Sequence, residues 1–114
     1  MAIVIITERL FGEIKKKFSN QEANEIIDLL ETLEENPKKG KELGTIGGIV
    51  IKEIRYKKFR FYFVTDGYKV KFLKVEELKD LVIKAVRMSE KKDQEKVITE
   101  IKYVLRQLGG EGFK

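Results

Sequence analysis

The segment Glu53-Ile54-Arg55-Tyr56-Lys57-Lys58-Phe59-Arg60-Phe61-Tyr62-Phe63, EIRYKKFRFYF, decides how the rest of the chain is read. Its large apolar side chains recur at every second position on each side of Lys57-Lys58, the period of a strand and not of a helix. A two-residue turn at Lys57-Lys58 opposes Tyr56 to Phe59, Arg55 to Arg60, Ile54 to Phe61 and Glu53 to Tyr62. Downstream, Asp66-Gly67 is a second two-residue turn signal, since both residue types tolerate positive φ. It predicts Phe63 opposite Val70, Tyr62 opposite Lys71, Phe61 opposite Phe72 and Arg60 opposite Leu73. One face of the resulting sheet carries Ile54, Tyr56, Phe59, Phe61, Phe63, Val70 and Phe72, and is a core face.

The opposite face gathers Glu53, Arg55, Arg60, Tyr62, Lys69 and Lys71. Like charges directly opposed across a strand pair destabilise it by some tenths of a kcal/mol or more. Two readings fit this face. It is a solvated surface on which Glu53 partly neutralises Arg55, or it is an anion site where paired guanidiniums hold phosphate oxygens. In the second reading Tyr62 supplies a ring on which a base stacks.

Upstream, Ala2 to Ile6 is a short β-branched run and predicts a strand. From Glu8 the period changes, with Leu10, Phe11, Ile14 and Phe18 on one helical face. Ser19 and Glu22 have capping-box spacing before a second stripe of Ala23, Ile26, Ile27, Leu30 and Leu33. Asn36-Pro37 stops that helix, so residues 8–36 read as a helical hairpin. Lys38 to Gly48 reads as a basic, glycine-rich connection without the spacing of a nucleotide-binding loop. Beyond the second hairpin, Glu76–Asp80 reads as one helical turn or a loop, and Leu81 to Met88 as a buried strand. Val97, Ile98, Ile101, Val104, Leu105 and Leu108 mark a final amphipathic helix, ended by Gly109-Gly110. The expectation is one α+β domain over residues 1–108, with a strand and helical hairpin packed on a twisted, mainly antiparallel sheet. Residues 109–114 form a tail.

The 114 residues contain neither cysteine nor histidine, which excludes disulfides, thiol nucleophiles, thiolate zinc sites and the commonest metal ligand. No metal or cofactor is expected. No apolar run approaches a membrane span, and the N-terminus lacks the form of a signal peptide, so a cytoplasmic protein is expected. Charge is uneven. Residues 1–36 carry 4 basic and 8 acidic side chains, whereas 37–114 carry 20 and 11. That asymmetry points to a polyanionic partner, while the Lys/Glu-rich surface is also of the kind common in thermophiles.

The order of these motifs resembles the RelE/ParE toxin superfamily, particularly its HigB-like, phage-derived branch. The resemblance rests on the Asn36-Pro37 end of the helical hairpin, Lys41-x-Leu43, Glu53-Ile54-Arg55, Phe59-Arg60-Phe61-Tyr62-Phe63, and Lys91-Lys92 before a last helix. It spans nearly the whole chain. What it implies is the toxin of a type II toxin–antitoxin pair, a metal-independent, ribosome-dependent mRNA endoribonuclease. Its partners would be mRNA, the ribosome and a cognate antitoxin. Arg60 matches the arginine associated with the scissile phosphate, and Arg55 that of the Glu-Ile-Arg motif. Glu53 stands where some members have a lysine, and family members that use active-site histidines have no counterpart here. With Glu53 and Tyr62, which share their face, Arg60 and Arg55 form the candidate catalytic set, and Lys41, Lys69, Lys71, Arg87, Lys91 and Lys92 are the candidate RNA contacts. The alternatives are a catalytically degenerate RNA- or ribosome-binding member of the same fold and a ParE-type gyrase inhibitor.

Overall fold

A computed structural model describes residues 2–46 and 48–88, together with Lys96 and Thr99. The first strand, β1 (Ile3–Ile6), leads into helices α1 (Glu8–Lys17) and α2 (Asn20–Glu31), the latter prolonged by a 3₁₀ turn over Thr32–Glu34. Strands β2 (Lys41–Ile46), β3 (Ile49–Tyr56), β4 (Phe59–Thr65) and β5 (Lys69–Leu73) follow, then helix α3 (Val75–Met88).

The first two helix starts are fixed locally. The Thr7 hydroxyl accepts from the Leu10 N–H, and the Ser19 hydroxyl accepts from the Glu22 N–H, satisfying amide groups that have no partner inside the helix. Glu8 at the start of α1 and Lys15, Lys16 and Lys17 at its end complement the helix dipole.

The five strands form one mixed sheet in the order β1-β5-β4-β3-β2, with β1 parallel to β5 and the other pairs antiparallel. The α+β class is therefore that expected. The β3–β4 register is also the expected one, from Tyr56↔Phe59 through Arg55↔Arg60 and Ile54↔Phe61 to Glu53↔Tyr62. Lys57 makes that tight turn with φ 54°, a left-handed conformation uncommon outside glycine, asparagine and aspartate. The first core forms on the expected face. Ile54, Phe61, Phe63, Val70 and Phe72 are buried against Leu10, Ile14, Ala23, Ile26, Leu30 and Leu33 of the helical hairpin. Phe63 and Phe72 are fully buried with ring centroids 4.7 Å apart. Burying each such side chain contributes about 1.5–3 kcal/mol.

Four expectations are corrected. The β4–β5 register is Tyr62↔Leu73, Phe63↔Phe72, Val64↔Lys71 and Thr65↔Val70, two residues from that predicted. The Asp66 carboxylate accepts from the N–H groups of Tyr68 and Lys69, and the Thr65 hydroxyl from that of Gly67, which stabilises a longer loop. Because the shift is even, every side chain keeps its face. Lys41–Ile46 is a strand and not a connection. A bulge between Glu42 and Gly44 breaks its alternation and leaves Leu43 and Ile46 both buried.

Glu76–Asp80 is helical, one of its two readings, but Leu81–Met88 is not a strand, since α3 runs through both segments without interruption. Leu78, Leu81 and Val82 recur at helical spacing once Leu78 is counted with the apolar run. Finally, the face carrying Glu53 is not solvated throughout. Leu78 and Val82 of α3 bury a second apolar cluster there with Leu43, Ile46, Ile51, Val64 and Leu73. The sheet is thus covered on one face by α1 and α2 and partly on the other by α3. The expected helix over 97–108 and the tail over 109–114 lie outside the described residues.

Candidate nucleic-acid interface

The β3–β4 hairpin runs past its neighbours at one end. The last β2–β3 pair in that direction is Lys41↔Glu53, and the last β4–β5 pair is Tyr62↔Leu73. One row across the sheet therefore reads Lys41, Glu53, Tyr62 and Leu73, while two residues further along the hairpin Arg55 and Arg60 pair with each other, with no strand beyond them among the described residues. Both arginines are exposed and share the face that α3 partly covers.

Their electrostatic surroundings differ. The Arg55 Nε lies 3.9 Å from the Glu53 Oε1, with Arg55 57% exposed and Glu53 only 4%. The second oxygen, Oε2, is buried without a hydrogen-bond partner among the described residues. A carboxylate removed from water with one oxygen unpaired is a costly arrangement. Arg60 has no ion-pair partner among the described residues. Tyr62, directly opposite Glu53, is half-buried against the second apolar cluster. The site thus presents two neighbouring cations, one buried carboxylate and one phenol.

Not every expected residue joins it. Lys69 and Lys71 are exposed on β5, but Lys71 pairs with Val64, four residues along β4 from Arg60. At about 3.3 Å per strand residue that is ~13 Å, with α3's apolar footprint in between. Lys71 instead borders a cleft with Arg9, Glu77, Asp80 and Lys84. Arg87 lies in α3, where side chains are described only as far as Lys84, and Lys91 and Lys92 lie outside the described residues.

Two lysines beside Arg60 are absent from the set expected from sequence. Lys17, from the acidic first part of the chain, and Lys74, between β5 and α3, border the same small cleft as Arg60. The basic run Lys15-Lys16-Lys17 is the signal that points to the first of them. Its placement depends on Phe18, whose ring meets Phe59 edge-on with centroids 4.8 Å apart and brings the end of α1 to the hairpin. Lys17 Nζ lies 5.2 Å from the centroid of the Phe59 ring.

The start of α3 is fastened to the start of α1. The Glu77 Oε1 accepts from the Thr7 hydroxyl at 2.7 Å and from the Lys74 N–H at 2.9 Å. Burial acts to raise the Glu77 pKa, but these two hydrogen bonds and the charges of Arg9 and Lys71 outweigh it, leaving it below the usual value. Among the described residues no group of three or more His, Cys, Asp or Glu side chains is placed to hold a metal ion, and no helix is long and apolar enough to cross a membrane. No family model, curated protein or solved structure matches the chain.

Proposed function

We propose that this protein is a ribosome-dependent mRNA endoribonuclease, the toxin of a type II toxin–antitoxin pair with a RelE-like fold. The observation that carries the reading is the Arg55–Arg60 pair, two exposed guanidiniums opposed across a hairpin beside the buried carboxylate of Glu53. Supporting it are the motif order and the agreement between the strand–helical hairpin–sheet sequence of elements and the resemblance. An RNA phosphate is the counter-charge that relieves the repulsion, and forked donors suit its oxygens.

In this reading Glu53 takes the proton of a ribose 2′-hydroxyl, and O2′ attacks the adjacent phosphorus. The P–O5′ bond breaks as the O2′–P bond forms. Arg55 and Arg60 stabilise charge on the non-bridging oxygens, and the Tyr62 hydroxyl supplies the proton taken by O5′. The products are a 2′,3′-cyclic phosphate and a 5′-hydroxyl. Protonated Glu53 and the Tyr62 phenolate then return to their starting states by exchange with water. Alignment on the ribosome contributes to the rate by fixing the attacking and leaving oxygens in line.

The burial of Glu53 favours a second reading, in which that carboxylate only balances Arg55 and the protein binds RNA or the ribosome without cutting. Induced expression followed by mapping of mRNA 5′ ends separates the two. New ends within translated codons, lost in Arg60→Ala, are expected for the nuclease. Their absence, or full cleavage by Arg60→Ala, overturns it.

A further inference from the structure

We infer that the cleft at the end of β5 is a nucleobase subsite, sized for one pyrimidine ring of the nucleotide adjoining the phosphate held by Arg55 and Arg60. This rests on the RNA-directed reading of the arginine pair and deepens it. Because β5 stops at Leu73, opposite Tyr62, the Phe59–Phe61 part of β4 has no strand on that side among the described residues. The gap lies between the end of α1 on one face of the sheet and the start of α3 on the other, and forms a cleft of about 160 Å³.

Ile14, Phe61, Leu73 and Val75 give the cleft apolar walls, and Arg60 forms part of its rim. The guanidinium proposed to hold phosphate therefore also borders the cleft, which makes the two continuous. Lys74 and Glu13 close one side through an ion pair of 3.0 Å. The size is selective. A cavity of about 150 Å³ lined by aliphatic and aromatic side chains accepts one benzene ring. A pyrimidine matches that ring in area, whereas the second ring of a purine extends past the walls. Its polar edge needs a donor and an acceptor at the rim, and Lys17 and Glu76 border the cleft with those groups. Apolar walls with a few polar groups at the mouth are the ordinary composition of small-molecule sites. Base stacking on aromatic side chains is the ordinary mode of single-stranded RNA capture.

The test is nuclear magnetic resonance titration of the full chain with uridine 3′-monophosphate, adenosine 3′-monophosphate and inorganic phosphate. Uridine monophosphate is expected to shift the backbone amides of Phe61 and Val75 together with the Nε–H signals of Arg55 and Arg60. Phosphate alone is expected to shift only the arginine signals. Val75→Phe, which fills the cleft, is expected to weaken uridine monophosphate by about tenfold, within the range one stacked base contributes, and to leave phosphate unchanged. Lys17→Ala, a change at an exposed position, is expected to act in the same direction without altering the fold. If phosphate moves the arginine signals but no nucleotide moves the cleft amides, the subsite is overturned and the arginine site stands. Adenosine monophosphate binding as tightly as uridine monophosphate overturns the pyrimidine assignment. Cleft shifts without any arginine response support the base site and count against the nuclease reading. Silence at both overturns both.

Discussion

Arg55 and Arg60 face each other directly across the β3–β4 hairpin, and among the described residues only Arg55 of the two forms an ion pair. The pair is therefore an unfavourable element of the free protein. Replacing Arg60 by alanine is expected to leave stability unchanged or raise it by about 0.2–1 kcal/mol, read from urea unfolding. The same change is expected to weaken RNA binding and to flatten its dependence on log salt concentration by about 0.7, the share of one neutralised phosphate on a single strand. A variant both less stable and undiminished in RNA affinity runs against an anion-binding role.

Glu53 combines burial with an oxygen that has no partner among the described residues, so Glu53→Gln separates its proposed chemistry from binding. The amide keeps the shape and removes the charge. Cleavage on translating ribosomes is expected to fall by roughly 10²–10⁴-fold, the ordinary contribution of a positioned base. RNA affinity, measured by filter binding, is expected to hold or rise as negative charge leaves the site. Undiminished cleavage by this variant removes Glu53 from the mechanism.

How much of the fold is legible in the sequence depends on local chemistry. The first hairpin can be read to the residue because two lysines leave no slack in a two-residue turn. The second is displaced by two positions because the side chains of Thr65 and Asp66 satisfy the loop amides, a choice that strand alternation does not record. Helix α3 looks divided because its first core residue, Leu78, stands among charged neighbours. For the site, strand parity is sufficient to group Glu53, Arg55, Arg60 and Tyr62. The depth of Glu53 and the cleft beside Arg60 are not legible. The cleft forms where the end of α1 and the start of α3, far apart in sequence, approach the sheet corner from opposite faces.

The Thr7–Glu77 hydrogen bond makes a prediction about acid stability. The Glu77 pKa is depressed in the folded protein. Its stabilisation is therefore present above the unfolded carboxylate value of about 4.3 and is lost as pH falls through the lower folded value. Thr7→Ala also removes the cap of α1 and is expected to cost about 1–2 kcal/mol near neutral pH. Glu77→Gln is expected to flatten the acid limb of stability against pH, measured by denaturant midpoints. An unchanged acid limb refutes this role for Glu77.

Gly40, with φ +107°, precedes β2 where a Cβ would come within 2.9 Å of the Phe63 ring and 3.0 Å of the Glu53 carbonyl oxygen. Gly40→Ala adds backbone strain to a clash against a fully buried ring. It is expected to destabilise the fold by about 2–4 kcal/mol in thermal or denaturant unfolding. Gly48→Ala, at φ +85° with open space around it, is expected to cost less, since only the backbone is affected.

The tip of the arginine-bearing hairpin is held at a distance from the chemistry. Lys57 forms an ion pair of 3.3 Å with Glu22, and the Tyr56 hydroxyl donates to Glu25, both acceptors lying on α2. These contacts fix the turn that sets Arg55 against Arg60, so the arginines need not be drawn together by a ligand. Folding has already met the cost of bringing them close, so in the proposed reading the phosphate would find its donors preorganised. The acidic helix α2 is in this sense the jig in which the basic site is held.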